Sequence, residues 1–76
     1  MSKLRVVPYR DLRKVAERCG FIWQRCQGSH NTFAHPDGRV IVIPNHGSKD
    51  IVRPLLRKII RDIGLTPDQY QRLLDK

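Results

Sequence analysis

The sequence predicts an α+β fold in the order α-β-β-β-α-α, a three-stranded antiparallel sheet with its helices on one face. Three observations predict it. Two stretches repeat apolar residues at helical spacing, and each ends at a glycine. A Pro-Asp-Gly turn separates runs that alternate as strands do, and Thr66-Pro67-Asp68-Gln69 has the signature of one more helix start. With 76 residues, the chain is sized for a single domain, 1–76, with one small core.

The first helix is predicted over Tyr9 to Cys19, because Leu12, Val15, Ala16 and Cys19 fall at i, i+3, i+4 and i+7 on one face. Arg10, Arg13, Lys14, Glu17 and Arg18 take the other positions. Gly20 ends it, since a residue without a side chain accepts the left-handed backbone of a helix cap. Phe21 to Gln27 follows as the first strand, rich in residues that suit a pleated, half-buried surface.

The segment His35-Pro36-Asp37-Gly38-Arg39 predicts a three-residue hairpin loop, a type I turn with Gly38 left-handed. That loop sets His35 opposite Arg39, Phe33 opposite Ile41, Thr32 opposite Val42 and Asn31 opposite Ile43. Phe33, Ile41 and Ile43 then share the core face, and His30, of opposite parity, lies on the open face near Pro44 and the Asn45-His46 segment. A two-residue loop would slip the pairing and put the isoleucines on the face of His30, so this placement depends on the turn.

Asn45 to Lys49 reads as a loop, and Pro54 falls in the first turn of the next helix, where a missing N–H does no harm. Leu55, Leu56, Ile59, Ile60 and Ile63 form the apolar stripe of that helix, and Gly64 stops it. Thr66 caps the last helix, with Pro67 in first position and Gln69 placed to close a capping box. Leu73 and Leu74 supply its apolar residues.

Fifteen Lys and Arg against seven Asp and Glu give a net charge of +8. Such an excess points to nucleic acid, an acidic protein or an anionic surface. Apolar runs are too short to span a bilayer, and Met1-Ser2-Lys3-Leu4 does not open a signal peptide, so a cytoplasmic protein without membrane contact is expected. Cys19 and Cys26, with His30 and His35, lack the tight ligand pairs of structural zinc sites. Asp11, Glu17, Asp37, Asp50, Asp62, Asp68 and Asp75 are scattered, which disfavours a two-metal nuclease. No Gly-rich nucleotide loop is present. Neither a metal nor a small-molecule cofactor is expected, and His30, on the small-residue turn Gly28-Ser29, is the first place to look for chemistry.

These residues carry a resemblance. Lys3-Leu4, Val6-Val7, Cys19-Gly20-Phe21, Gly28-Ser29-His30, Phe33-Ala34-His35-Pro36-Asp37-Gly38-Arg39, Ile43-Pro44-Asn45-His46, Leu56-Arg57-Lys58-Ile59-Ile60 and Gly64-Leu65 occur in that order. In this, the chain resembles the HicA toxins, small bacterial mRNA interferases with the fold of double-stranded-RNA-binding domains. The resemblance spans nearly the whole chain. It implies a metal-independent ribonuclease acting on mRNA and held inactive by a HicB-like antitoxin, with the histidine of Gly-Ser-His essential. That role falls on His30. The chain departs from the family pattern at Pro54-Leu55, where Gly-Thr is frequent, at Asn31 and Thr32, and at Arg5.

On this reading His30 is the general acid or base. RNA supplies its own nucleophile, the 2′-hydroxyl beside each phosphodiester, and an imidazole takes that proton near neutral pH without a metal. His46 is the second candidate, as an acid across the phosphate, unless it is a phosphate contact or simply a loop histidine. Gly28 lets a phosphate approach the backbone and Ser29 donates to it or orients His30, unless both are merely turn residues. Arg25, Arg39, Lys49, Arg57, Lys58 and Arg61 read one by one as solvated surface charges, and together as the field that tracks phosphates. Trp23 is expected in the core or the sheet rather than as a base-stacking platform, and His35 as a solvated strand-end residue. Two other functions fit the charge and topology: a non-catalytic RNA-binding module of the same fold, and a DNA- or ribosome-associated adaptor whose basic helix over Pro54 to Ile63 enters a groove.

Overall fold

In a computed structural model of the chain, which describes residues 4–76, the elements are α1 (Tyr9–Arg18), β1 (Ile22–Gln27), β2 (His30–Ala34), β3 (Val40–Pro44), α2 (Arg53–Ile63) and α3 (Pro67–Leu74). The strands form one antiparallel sheet in the order β1-β2-β3. This is the predicted α+β architecture.

The central hairpin takes the predicted register. His35 N–H donates to Arg39 O at 2.9 Å, Gly38 N–H donates to His35 O at 2.9 Å, and Gly38 sits at φ 100°. Thr32 accordingly faces Val42, Phe33 faces Ile41 and Asn31 faces Ile43, with His30 opposite Pro44. Phe33, Ile41 and Ile43 are buried, and they join Leu12, Val15 and Ala16 of α1 and Leu56, Ile59, Ile60 and Ile63 of α2 in one core.

Both long helices end as their glycines predict. Gly20 N–H donates to Glu17 O and Phe21 N–H to Ala16 O, while Gly64 N–H donates to Arg61 O and Leu65 N–H to Ile60 O. This paired closure satisfies carbonyls that would otherwise be orphaned, and the residue after each glycine folds back on the helix. At Gly20 a side chain is excluded twice over: φ is 94°, and a Cβ would stand 2.9 Å from His35 Nε2.

That contact corrects one expectation. His35 is not a solvated strand-end residue: its ring packs edge-on to Phe21 at 5.2 Å, beneath Gly20, and its Nδ1 accepts from Asp37 N–H at 3.1 Å. Arg39 changes role in the same way. Its guanidinium lies over the Phe21 ring, pairs with Asp37 at 2.8 Å and donates to Ile63 O at the end of α2. It holds the hairpin loop and the end of α2 together, a scaffold role that its charge alone did not indicate.

β1 also differs from expectation. Phe21 is buried, yet every residue of β1 is exposed, because the helices pack over β2 and β3 and leave β1 as an overhanging edge. Trp23 pairs with Phe33 and so lies on the helix side of the sheet, but it stays 46% exposed.

At the C-terminal end, Thr66 and Gln69 form the reciprocal capping box. The anchor of α3 is Tyr70, however, with Leu73 and Leu74 only partly buried against the core. The Tyr70 hydroxyl donates to Arg5 O at 2.7 Å, which ties α3 to the segment before α1. That segment is also tied to the loop before α2, since Ile51 N–H donates to Val7 O at 2.9 Å.

Burial pushes the Tyr70 phenol up to about 12. The folded chain therefore holds this proton more tightly than the unfolded chain, whose tyrosine titrates near 10. The resulting stability is intact below about pH 10 and is lost as pH rises through about 12. Denaturant midpoints should fall across that window, and Tyr70→Phe should flatten part of the fall while costing about 1 kcal/mol at neutral pH. An unchanged alkaline slope in the variant would remove Tyr70 as its source.

Candidate functional site

Between β1 and β2 the chain reverses over Gly28 and Ser29 alone, since Gln27 pairs directly with His30. Gly28 sits at φ 58° and, among the described residues, no non-glycine residue has positive φ. That is the pattern of a two-residue hairpin turn with glycine first. The turn thus accounts for Gly28 by itself. A Cβ there would meet nothing within 4 Å, so the space over this glycine is open.

Both turn carbonyls are held. Cys26 Sγ–H donates to Gly28 O at 3.1 Å, and Ser29 O accepts from Asn45 N–H at 2.7 Å and from Asn31 Nδ2 at 3.3 Å. Asn31 is 6% exposed and is the one buried polar residue among those described; its Oδ1 accepts from Trp23 Nε1 at 3.0 Å. A single buried amide therefore joins the overhanging indole of β1 to the turn that carries His30. Asn31 has the parity of Phe33, and a polar residue on an apolar face was the signal available in the sequence. The role of Cys26 had no such signal.

His30 opens β2 and is exposed on the face away from the helices. Across the strand ends it stands beside Pro44, and Asn45, next in the chain, is bonded to Ser29. The loop then turns on Asn45, whose Oδ1 accepts from Gly47 N–H at 3.0 Å, and this places His46 near His30. The two histidines line one groove of about 360 Å³ between β3 and α2, together with Val40, Val42, Pro44 and Lys58. Leu55, Ile59 and Asp62 complete its α2 wall.

Of the predicted site residues, then, His30, His46 and Lys58 come together. Lys58 pairs with Asp62 at 2.8 Å, an exposed i,i+4 contact. Such pairs contribute about 0.3–0.5 kcal/mol, so Asp62 holds the ammonium only weakly. Arg25 faces Thr32 and shares the open sheet face with His30 without lining the groove. Arg57 and Arg61 are exposed on another side of α2, and Lys49 follows His46 in the exposed loop; none of the three lines the groove.

Other chemistry is sparse. Burial pushes the Cys19 thiol up, away from the reactive thiolate. Among the described residues no three of His, Cys, Asp and Glu gather as ligands for one ion. A second hollow of about 170 Å³ lies between α1 and the chain's last residues, where Arg18 is already bonded to Leu73 O and Lys76 O.

The Asn31 amide generates a prediction that separates support from chemistry. Asn31→Ala should lower stability by about 1–3 kcal/mol, the range for breaking a buried hydrogen-bonded pair. It should also shift the fluorescence of Trp23, the only tryptophan. Urea unfolding followed by that fluorescence checks both, and an unchanged midpoint would mean the amide does not hold the turn.

No curated protein matches the chain. A family model described as the HicA toxin of bacterial toxin-antitoxin systems matches residues 9–65. The match begins with α1 and runs just past the glycine that ends α2, so it includes the whole sheet, the turn with His30 and the groove, and leaves α3 outside. With the three-stranded sheet and the helices that cover it in the expected order, the chain belongs to the HicA toxin family and is the toxin of a toxin-antitoxin system.

Proposed function

We propose that this toxin is a metal-independent endoribonuclease that cleaves mRNA with His30 as general acid or base, and that a HicB-like antitoxin holds it inactive. The observation that carries the reading is the position of His30, exposed on the open sheet face at the mouth of a groove that also holds His46 and Lys58. A proton-transfer group needs access to its substrate, and an exposed imidazole on a braced turn has both access and a fixed backbone.

The chemistry follows from RNA itself. One imidazole removes the proton of a 2′-hydroxyl, the oxygen attacks the adjacent phosphorus, and the bond to the 5′-oxygen breaks. The departing oxygen needs a proton, and His46 is the second imidazole in the groove. Lys58 stabilises the charge that builds on the phosphate oxygens, helped by its weak hold on Asp62. Arg25, Lys49, Arg57 and Arg61 supply positive charge at a distance, as part of the net +8 that draws a polyanion. Gly28 serves first as a turn residue and, in the open space above it, admits a phosphate; Ser29 orients His30 through its held carbonyl.

His30→Ala should lower RNA cleavage by about two to four orders of magnitude, the usual contribution of a general acid or base. Because His30 is exposed, its unfolding midpoint should stay that of the parent chain. Cleavage should persist in excess chelator, and RNA with its 2′-hydroxyls replaced by hydrogen should bind and stay intact. Cleavage that needs magnesium, or an uncleaved natural RNA that binds tightly, would replace this reading with a metal nuclease or a binding module.

The groove also ranks the basic residues. Lys58→Ala should reduce kcat more than Arg57→Ala or Arg61→Ala, which should chiefly weaken binding and lessen its salt dependence. Equal effects of the three on kcat would place Lys58 with the general field.

A further inference from the structure

The two edges of the sheet are treated differently. β1 is guarded: its register breaks between Trp23 and Arg25, and the side chain of Gln24, the extra residue, donates to Ile22 O at 3.1 Å. A bulge and a polar cover are standard protection against another strand. β3 has neither. Its five residues Val40-Ile41-Val42-Ile43-Pro44 pair with β2 without a break.

Parity shows what this edge offers. His35 and Arg39 form one bonded pair and Ser29 bonds Asn45 at the other end, so Ile41 and Ile43 direct their N–H and C=O groups to β2. Val40 and Val42 direct theirs outward, where among the described residues no strand lies beyond β3. Their side chains are 59% and 42% exposed. Pro44 has no N–H, which closes the ladder on the side of His30. Beside the edge runs the groove floored by Leu55 and Ile59, with room for a strand's side chains.

We propose that the β3 edge docks an extended, acidic segment of a partner polypeptide, added to the sheet as a fourth strand along Val40–Pro44. Open amides with alternating apolar side chains are the features that strand addition uses. Charge selects among occupants. A second copy would bring another +8 to the same place, whereas an acidic segment is drawn to it. A nucleic acid would leave the valines unmatched. The inference does not depend on a catalytic role for His30.

The test is amide hydrogen exchange at Val40 and Val42 in the full chain, read by NMR. The probe is a ten-residue peptide of alternating threonine and valine with glutamates at both ends. Exchange at both amides should slow about tenfold or more at saturation, as hydrogen-bonded strands are protected. The same peptide with lysines for glutamates should bind at least about tenfold more weakly. Val42→Pro removes an outward N–H without touching the ladder to β2, and should lose the protection at Val40. Val42→Lys, an edge-guarding change, should lose peptide binding while keeping the parent unfolding midpoint, should the proline variant not fold. The proposal is overturned by unprotected amides at saturation, by equal binding of the lysine peptide, or by equal protection from a 2′-O-methyl uridine decamer. Concentration-dependent protection in the chain alone would overturn it in favour of a second copy.

Discussion

The pairing of β2 with β3 is the constraint on which the rest of this molecule depends. A strand's side chains alternate, so a slip of one residue would exchange the core set Phe33, Ile41 and Ile43 for the outward set. The same slip would carry His30 to the helix side. What prevents it is the loop at residues 36–38, closed by the His35–Arg39 pair and by Asp37, whose carboxylate is bonded to Arg39 N–H at 3.0 Å. That backbone bond, with the guanidinium beside it, holds the Asp37 carboxyl below the usual carboxylate range. A turn at one end of the hairpin thus decides what the histidine at the other end faces.

The positive charge of the chain divides into two kinds. Arg39 is bonded to the end of α2, Arg53 donates to Leu4 O and Arg18 reaches Leu73 O and Lys76 O, so three arginines hold carbonyl groups of the scaffold. Their charge still adds to the long-range field, but each commits part of its guanidinium to the scaffold. The basic side chains without such a scaffold contact are fewer than the net charge suggests. Of these, Lys58 alone shares the groove with His30 and His46.

Around the turn at Gly28 and Ser29 the hydrogen bonds run through side chains that contribute little to the main core. Asn31, Cys26 and Asn45 each grip one of its carbonyls, from two strands and a loop. This bracing leaves the imidazole in solvent while its backbone stays fixed, the combination that proton transfer to a bound substrate requires. The edge of β3 starts beside the 36–38 loop and ends at Pro44, opposite His30. The proposed partner strand and the proposed RNA site would share the one groove lined by His30, Val40, Val42 and His46.

The sequence by itself determined the elements, both glycine caps, the capping box at Thr66 and the face of His30, because each rests on local backbone geometry or on strand alternation. The resemblance named the family from residues in order. Tertiary structure alone decided which charged and ring side chains are scaffold. His35 and Arg39 looked solvated because no local rule shows that Phe21, Gly20 and the end of α2 come together around them. Trp23 looked suited to the sheet, and only the packing of the helices over β2 and β3 shows that its strand overhangs. The groove is of the same kind. His30, His46 and Lys58 lie on three separate segments, and their meeting depends on how α2 lies against β3, a long-range packing outcome that no local pattern encodes.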